Sequence, residues 1–284
     1  MDPQLVSILL SPYVLALLGL CIGSFLNVVI HRLPQMMERG WRIESAELLG
    51  VAIEEPPRIT LSIPGSRCPS CQHAIAWHEN VPLFGYLRLG GKCSACSAPI
   101  SARYPAIEVL TALLFAACGW HFGAQPSVLL WCAFTATLVA LAFIDLDTMF
   151  LPDDLTLPLM WAGIVAAGLG FTPVSLAASV GGAVAGYLSL WLVFHAYRLI
   201  RGKEGMGAGD FKLLAALGAW LGWSLIPSII LLSSAVGAVV GLSLMALRRQ
   251  GRDVPIPFGP YLAGGGIAAL FFGEQLSRLW LPPA

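Results

Sequence analysis

Two groups of residues have types and spacings that could do chemistry. The first is a pair of carboxylates. Asp145 ends the apolar run in "LVALAFIDLDTMFLPDD" (138–154), and Asp210 stands where the turn "GKEGMGAG" (202–209) meets the apolar "FKLLAALGAWLG" (211–222). They are 65 residues apart. Two aspartates held close cannot both ionise easily, so one keeps its proton. The ionised member can take a proton from water while the protonated one polarises a peptide carbonyl. That is peptide hydrolysis without a metal or a covalent intermediate. The second group is "CPSC" (Cys68, Cys71) and "CSAC" (Cys93, Cys96), two CxxC pairs separated by 21 residues. Such knuckles place four thiolates on a tetrahedron, the geometry of structural zinc. Two disulfides are the other reading, and His73 and His78 rank below the cysteines as ligands.

The elements that must position these groups follow from composition. The chain has 284 residues, 57% hydrophobic and 11% charged, with mean hydropathy +0.77. Soluble domains carry about 25% charged residues, so this chain lacks the charge to cover a water-facing surface. Its net charge is zero, which implies no bulk pull toward nucleic acid, and no nucleic-acid partner is expected. The first apolar run, Leu5 to Ile30, has no basic residue before it and reads as an uncleaved membrane helix. Further apolar segments fall at roughly 104–122, 127–144, 155–171, 174–199, 211–226, 227–247 and 258–280, giving about eight passes. Only Pro227 separates the 211–226 and 227–247 pair.

Charge sets the orientation. With the N-terminus outside, the cytoplasmic stretches are 31–103, 145–154, 198–210 and 248–257, and of the basic residues only Arg278 falls away from them. An even count of passes places the C-terminus outside too. Asp145 and Asp210 then share one membrane depth on the cytoplasmic side, where a carboxylate is costly and usually functional. Ordinary helix-end charge is the plain alternative, and it suits Asp153 and Asp154, with Asp154 a candidate N-cap. Gly207 and Gly209 are expected to allow positive φ and a close substrate backbone. Asp210, at a helix N-terminus, is expected to be the ionised partner. The cysteine loop falls in the reducing cytoplasm, which favours zinc over disulfides. With four sulfur ligands no coordination position stays open, so the metal folds the loop rather than catalysing.

Gly182 with Gly186, Gly237 with Gly241, and "GGG" at 264–266 read as close helix packing. Cys21, Cys118 and Cys132 read as small core residues, and His195 as a satisfied interior histidine. Glu108 could hydrogen-bond near the carboxylate site or cap a buried pair. Lys212 could pair with a substrate carboxylate or snorkel to the interface.

"GAGD" (207–210) fits the GxGD signature of membrane aspartic proteases, and together with "IDLDTMFLPD" (144–153) it resembles bacterial type 4 prepilin peptidases. The resemblance extends to "GSFLNVVIHRLP" (23–34), "ENVPLFGYLRLGGKC" (79–93), "ISARYPAIEVLT" (100–111) and "PIPFGPYLAGG" (255–265), nearly the whole chain. It implies a dyad of Asp145 and Asp210, with Asp147 at a position where the family accepts other residues. It implies cleavage of the leader of type 4 prepilins or pseudopilins in the bacterial inner membrane. Members with the four-cysteine loop generally also methylate the new N-terminal residue, with S-adenosylmethionine as donor. The family segment tied to methylation corresponds to Gly91 and Lys92. Here it reads "LGGKC", without the arginine before that glycine. Asn27 and Arg32 follow the family pattern and either anchor the cysteine loop or contact substrate.

The expected architecture is an all-α polytopic membrane protein. It comprises a first transmembrane helix (1–30), a cytoplasmic zinc-binding and methyltransferase region (31–103), and a transmembrane aspartic peptidase domain (104–284). Two other functions stay open: a monofunctional peptidase whose zinc loop is only structural, and a transporter relaying protons or ions through its carboxylates. The helix-end position of both aspartates counts against the transporter, whose sites sit at the midplane.

Overall fold

The computed structural model describes residues 3–54, 57–203, 205–248 and 256–278, with the side chain of Arg248 excepted. Among these residues it is all-helical, apart from two isolated β-bridges. The helices are α1 (Pro3–Leu9), α2 (Pro12–Leu49), α3 (Phe84–Arg88), α4 (Arg103–Phe122) and α5 (Val128–Thr148). They continue with α6 (Asp153–Gly168), α7 (Leu176–Arg201), α8 (Ala208–Leu221), α9 (Ile226–Arg248) and α10 (Gly259–Ser277). Five stretches are long and apolar enough to cross a membrane: α2, α4, α5, α7 and 223–247. The long helices match the expected apolar segments one for one, but α6 and α8 have only 16 and 14 residues. At 1.5 Å per residue, α8 is ~21 Å long, against a hydrocarbon core of ~30 Å.

The chain forms two compact units, residues 1–140 and 141–284. In the first, α2 and α4 cross where their backbones nearly touch. A Cβ on Gly19 would lie 2.7 Å from Ala112 Cα, and one on Gly23 2.6 Å from Glu108 Cα. Asn27 spans the same pair, donating to the Gly23 and Tyr104 carbonyls at 3.2 and 3.1 Å. The sequence reading ran one apolar helix from Leu5 to Ile30. The structure breaks it at Ser11, whose side chain caps α2 ahead of Pro12, and then carries α2 on to Leu49. Pro34 lies inside this helix without ending it, and Arg42 pairs with Glu38 one turn away at 2.6 Å. Gly50, at φ 64, closes the helix by donating to the Ala46 and Glu47 carbonyls. Cys118 and Cys132 are buried as expected, but Cys21 is exposed on α2.

In the second unit α8 is the core. From Asp210 to Leu221 every residue but Lys212 is buried. Three helices close around it. Trp220 donates its indole N–H to the Leu159 carbonyl on α6 at 2.8 Å, and Ser179 on α7 donates to the Ala219 carbonyl at 2.6 Å. Gly182 and Gly218 pack backbone to backbone, and Gly186 lies against the Leu214 carbonyl. Gly266 on α10 leaves room for Leu217. Gly237 and Gly241 instead accommodate side chains, those of Tyr261 and Ile256, and Gly264 faces open space. Between α8 and α9 the sequence reading relied on Pro227. The break is earlier, at Gly222 (φ 82), followed by a 3-10 turn at Trp223–Leu225.

Candidate functional site

Asp145 leaves the last turn of α5, and Asp210 occupies the first turn of α8. Both side chains are in the second unit and both are buried, with Asp145 4% and Asp210 7% exposed. Leu151 joins their helix ends, lying against Gly209, which precedes Asp210, and against Gly259, which bonds Asp145. Asp147, two residues on, is exposed.

Three short contacts bring these helix ends together. The Gly259 N–H, free because it opens α10, donates to Asp145 Oδ2 at 2.9 Å. Leu151 follows α5 in a buried turn and lies against both Gly209 and Gly259. A Cβ on Gly209 would be 2.8 Å from Leu151 Cβ, and one on Gly259 3.1 Å from its Cδ2. Lys212 Nζ bonds both carboxylate oxygens of Asp153 at 2.7 Å, tying the first turn of α8 to that of α6. The turn itself is tight: Met149 adopts φ 55 and donates to the Asp145 carbonyl at 2.8 Å.

This geometry changes several expectations. Neither Gly207 (φ −81) nor Gly209, which lies inside α8, uses the left-handed backbone. Gly209 is small because Leu151 fills the place of a side chain, while Gly207 is the exposed N-cap of α8. Asp154 is not the cap of α6. Pro152 occupies that position, and both aspartates fall in the first turn. Lys212 is engaged by Asp153 rather than left for a substrate. His195 is not interior: it is half-exposed, with Nδ1 3.0 Å from the Trp191 carbonyl and its ring over Trp191. Gly259 and Leu151 were missed. Gly259 had a signal in the proline that follows it, a common residue at a helix start, whereas Leu151 had none.

In the first unit the four cysteine sulfurs lie within 4.8 Å of one another. Cys68 and Cys96 are 3.8 Å apart, and Cys71 and Cys93 3.9 Å. A tetrahedron with metal–sulfur bonds of ~2.3 Å has edges of ~3.8 Å, while a disulfide is ~2.05 Å. The sulfurs therefore fit one zinc ion and are not disulfide-bonded. The knuckles share one conformation. Cys68 N–H bonds the His73 carbonyl and Cys93 N–H the Ala98 carbonyl, both at 2.9 Å. The residue after each second cysteine, Gln72 or Ser97, takes positive φ. Backbone N–H groups of Cys71 and Ser70 hold the Cys68 thiol below its ordinary range, while its sulfur neighbours push Cys71 up. Hydrogen bonds from Ser94 and from the Ala76 N–H keep the Glu79 carboxyl below its ordinary range. His73 and His78 are not in the sulfur cluster, and His73 faces Glu79 at 3.8 Å.

Gly91, at φ 70, lies under the Tyr86 ring, which leaves no room for a Cβ, and Lys92 is exposed. The neighbouring cavity, lined by His78, Glu79, Gly85, Arg88 and Leu89, holds about 40 Å³. Small-molecule pockets run to ~300 Å³ or more, so this cavity does not fit a nucleoside-sized donor. Arg32 bonds the Thr60 and Leu61 carbonyls at 3.0 and 3.3 Å, which makes it an anchor of the loop. Glu108 accepts the Leu83 N–H at 2.7 Å.

Comparison with known proteins bears on both units. Residues 17–122 match the bacterial peptidase A24 N-terminal domain, and residues 132–242 match the type IV leader peptidase family. A Pseudomonas aeruginosa protein named prepilin leader peptidase/N-methyltransferase is 52% identical over 93% of this chain and 91% of its own length. An Aeromonas hydrophila protein of the same name is 53% identical, covering 93% and 92%. A third, from Burkholderia pseudomallei, is 49% identical, covering 92% and 85%. No solved structure matches the chain.

Proposed function

The chain belongs to the type IV leader peptidase family, and from that premise we propose that it is a bifunctional prepilin-processing enzyme. It cleaves the leader peptide of type 4 prepilins and pseudopilins and then methylates the new N-terminal residue, with S-adenosylmethionine as donor. It works in the bacterial inner membrane with eight spans, both termini outside the cytoplasm and the active site facing in. Residues 1–30 form the first span, 31–103 the zinc-binding and methyltransferase region, and 104–284 the peptidase domain.

The observation that carries the peptidase half is the burial of Asp145 and Asp210 at converging helix ends. Water held between the carboxylates attacks the scissile carbonyl carbon. The ionised carboxylate takes the water proton, and the protonated one gives its proton to the carbonyl oxygen. On collapse of the tetrahedral species, the carboxylate that gave its proton takes it back from the oxygen, the C–N bond breaks, and the other carboxyl group passes the water-derived proton to the leaving amine. Asp145 Oδ2 accepts the Gly259 N–H, so this oxygen is not the one that donates a proton. Gly207 and Ala208, exposed beside Asp210, form the edge over which a substrate backbone would approach.

Cys68, Cys71, Cys93 and Cys96 would hold a zinc ion, which supplies a structural cross-link and no open coordination position. Gly91 and Lys92 stay assigned to the methyltransferase region by family resemblance. Because the cavity near them is too small for the donor, no step is routed through it.

The test is mass spectrometry of a prepilin incubated with the membrane-embedded protein and S-adenosylmethionine. Asp145→Asn and Asp210→Asn should leave the leader attached, while Asp147→Asn should remove it. A methyl group on the wild-type product's new N-terminus supports the second activity. Cleavage by both dyad variants would overturn the assignment.

A further inference from the structure

An exposed apolar stripe in the first unit has no role in the chemistry above. Val81, Phe84 and Leu87 recur every three residues and are 38%, 61% and 65% exposed. Phe84 and Leu87 lie on one face of α3. The opposite face is occupied: Gly85 packs on the Glu79 carbonyl, and Tyr86 covers Gly91. The stripe is therefore an outward surface of a folded segment.

Its depth is fixed by Glu108. Helix α4 has 20 residues, about the ~20 needed to cross a bilayer, so its whole length is required for the crossing. Glu108 is five positions inside α4, ~7.5 Å from its start. At the same level stands Gly23 of α2, well before the apolar run ends at Ile30. The buried Glu108 carboxylate holds the Leu83 N–H at 2.7 Å. Phe84 is the next residue. The segment is thus tied by its backbone to a point within the span, and on α4 itself Val109, Leu110 and Leu113 are exposed.

We infer that the segment Val81–Leu89 is an interfacial anchor, with Phe84 and Leu87 inserted at the headgroup–acyl boundary of the same bilayer that α4 crosses. Apolar side chains at that depth face lipid on one side and protein on the other. Arg88, exposed at the end of α3, suits the phosphate layer above them. The anchor holds the cysteine knuckles against the membrane surface.

The experiment places a photoreactive benzophenone side chain singly at Phe84, Leu87, Leu113 and Ala95 of the full-length protein in phospholipid nanodiscs. Adducts are read by mass spectrometry after illumination. Leu113 sets the lipid-facing level, and Ala95, between two cysteines of a knuckle, sets the background. The expected result is lipid adducts at Phe84 and Leu87 close to the Leu113 level. Adducts at the Ala95 level overturn the inference. So does capture of a co-reconstituted prepilin in place of lipid, which would make the stripe a protein-docking face. Neither outcome depends on whether the protein cleaves or methylates.

Discussion

Replacing Gly259 with alanine separates positioning from folding at the carboxylate site. A Cβ there would lie 2.6 Å from Asp145 Oδ2 and 3.1 Å from both Asp145 Cγ and Leu151 Cδ2. Ordinary contact starts near 3.4 Å, so the Asp145 carboxylate must retreat by ~0.8 Å. The backbone N–H survives the substitution, and what changes is where the carboxylate can sit. A misplacement of ~1 Å costs ~100-fold in rate, equivalent to ~2.7 kcal/mol of barrier. Leader cleavage by the reconstituted protein should therefore lose about that factor in kcat, with KM little changed, because no substrate contact is removed. Gly264→Ala is the control. It lies on the same helix with nothing within 4 Å of the new Cβ, and should cleave at the wild-type rate. If Gly259→Ala cleaves as fast as wild type, the bond from Gly259 does not position Asp145 and the geometric argument fails. If the two variants lose thermal stability equally and activity equally, the effect is helix-wide rather than local.

Other outcomes follow from single contacts. Trp220→Phe removes the indole bond to the Leu159 carbonyl, which keeps its helical partner in α6, and should cost ~0.5–1.5 kcal/mol of stability, seen as a lower melting temperature in detergent; an unchanged melting point would contradict the role given to that bond. Gly218→Ala drives a methyl into the Gly182 carbonyl and should cost ~1–3 kcal/mol as overpacking, measurable in the same assay and absent if the helices can part freely. The Lys212–Asp153 pair is half-exposed, so Lys212→Met should cost no more than ~1 kcal/mol, and cleavage should fall only modestly. Chelation of one zinc per chain should make residues 57–102 sensitive to protease while the helices remain resistant, and Cys93→Ser should mimic chelation; protection that is unchanged by chelators would count against a structural metal.

The helices were legible because lipid demands long apolar runs, and each expected segment has its helix. What sequence could not give is helix length where protein replaces lipid as the surroundings. Residues 35–49 fall within 31–103, the stretch expected as a cytoplasmic loop, and Pro34 and Gly40 are unfavourable inside a helix. The structure continues α2 through both, as a proline in a long helix can be tolerated when neighbouring turns carry the bonding. The two aspartates and the four cysteines were legible as types and spacings. The parts that hold them were not. Leu151 is an ordinary leucine in sequence, and its place against Gly209 and Gly259 depends on three chain segments far apart in number. Gly209 was given the right importance for the wrong reason: it needs the absence of a side chain, not a left-handed backbone.

The short length of α8 ties the architecture to the chemistry. At ~21 Å it is shorter than the ~30 Å hydrocarbon layer, so at least one of its ends lies within the membrane's depth. Both ends have irregular backbone, at 205–207 before α8 and at the Gly222 break after it. Unpaired backbone at such depth is tolerated only inside protein or beside water. The Gly222 end is met by protein, with Val174 and Ala178 against it. The other end, at Gly207 and Ala208, is exposed and lies next to the buried Asp210. Water able to satisfy that exposed turn is water able to reach the carboxylates. A full-length α8 would carry Asp210 farther toward bulk solvent. The same shortness that leaves an end of α8 within the membrane's depth thus sets a hydrolytic pair where a peptide entering from the membrane surface and a water molecule can meet.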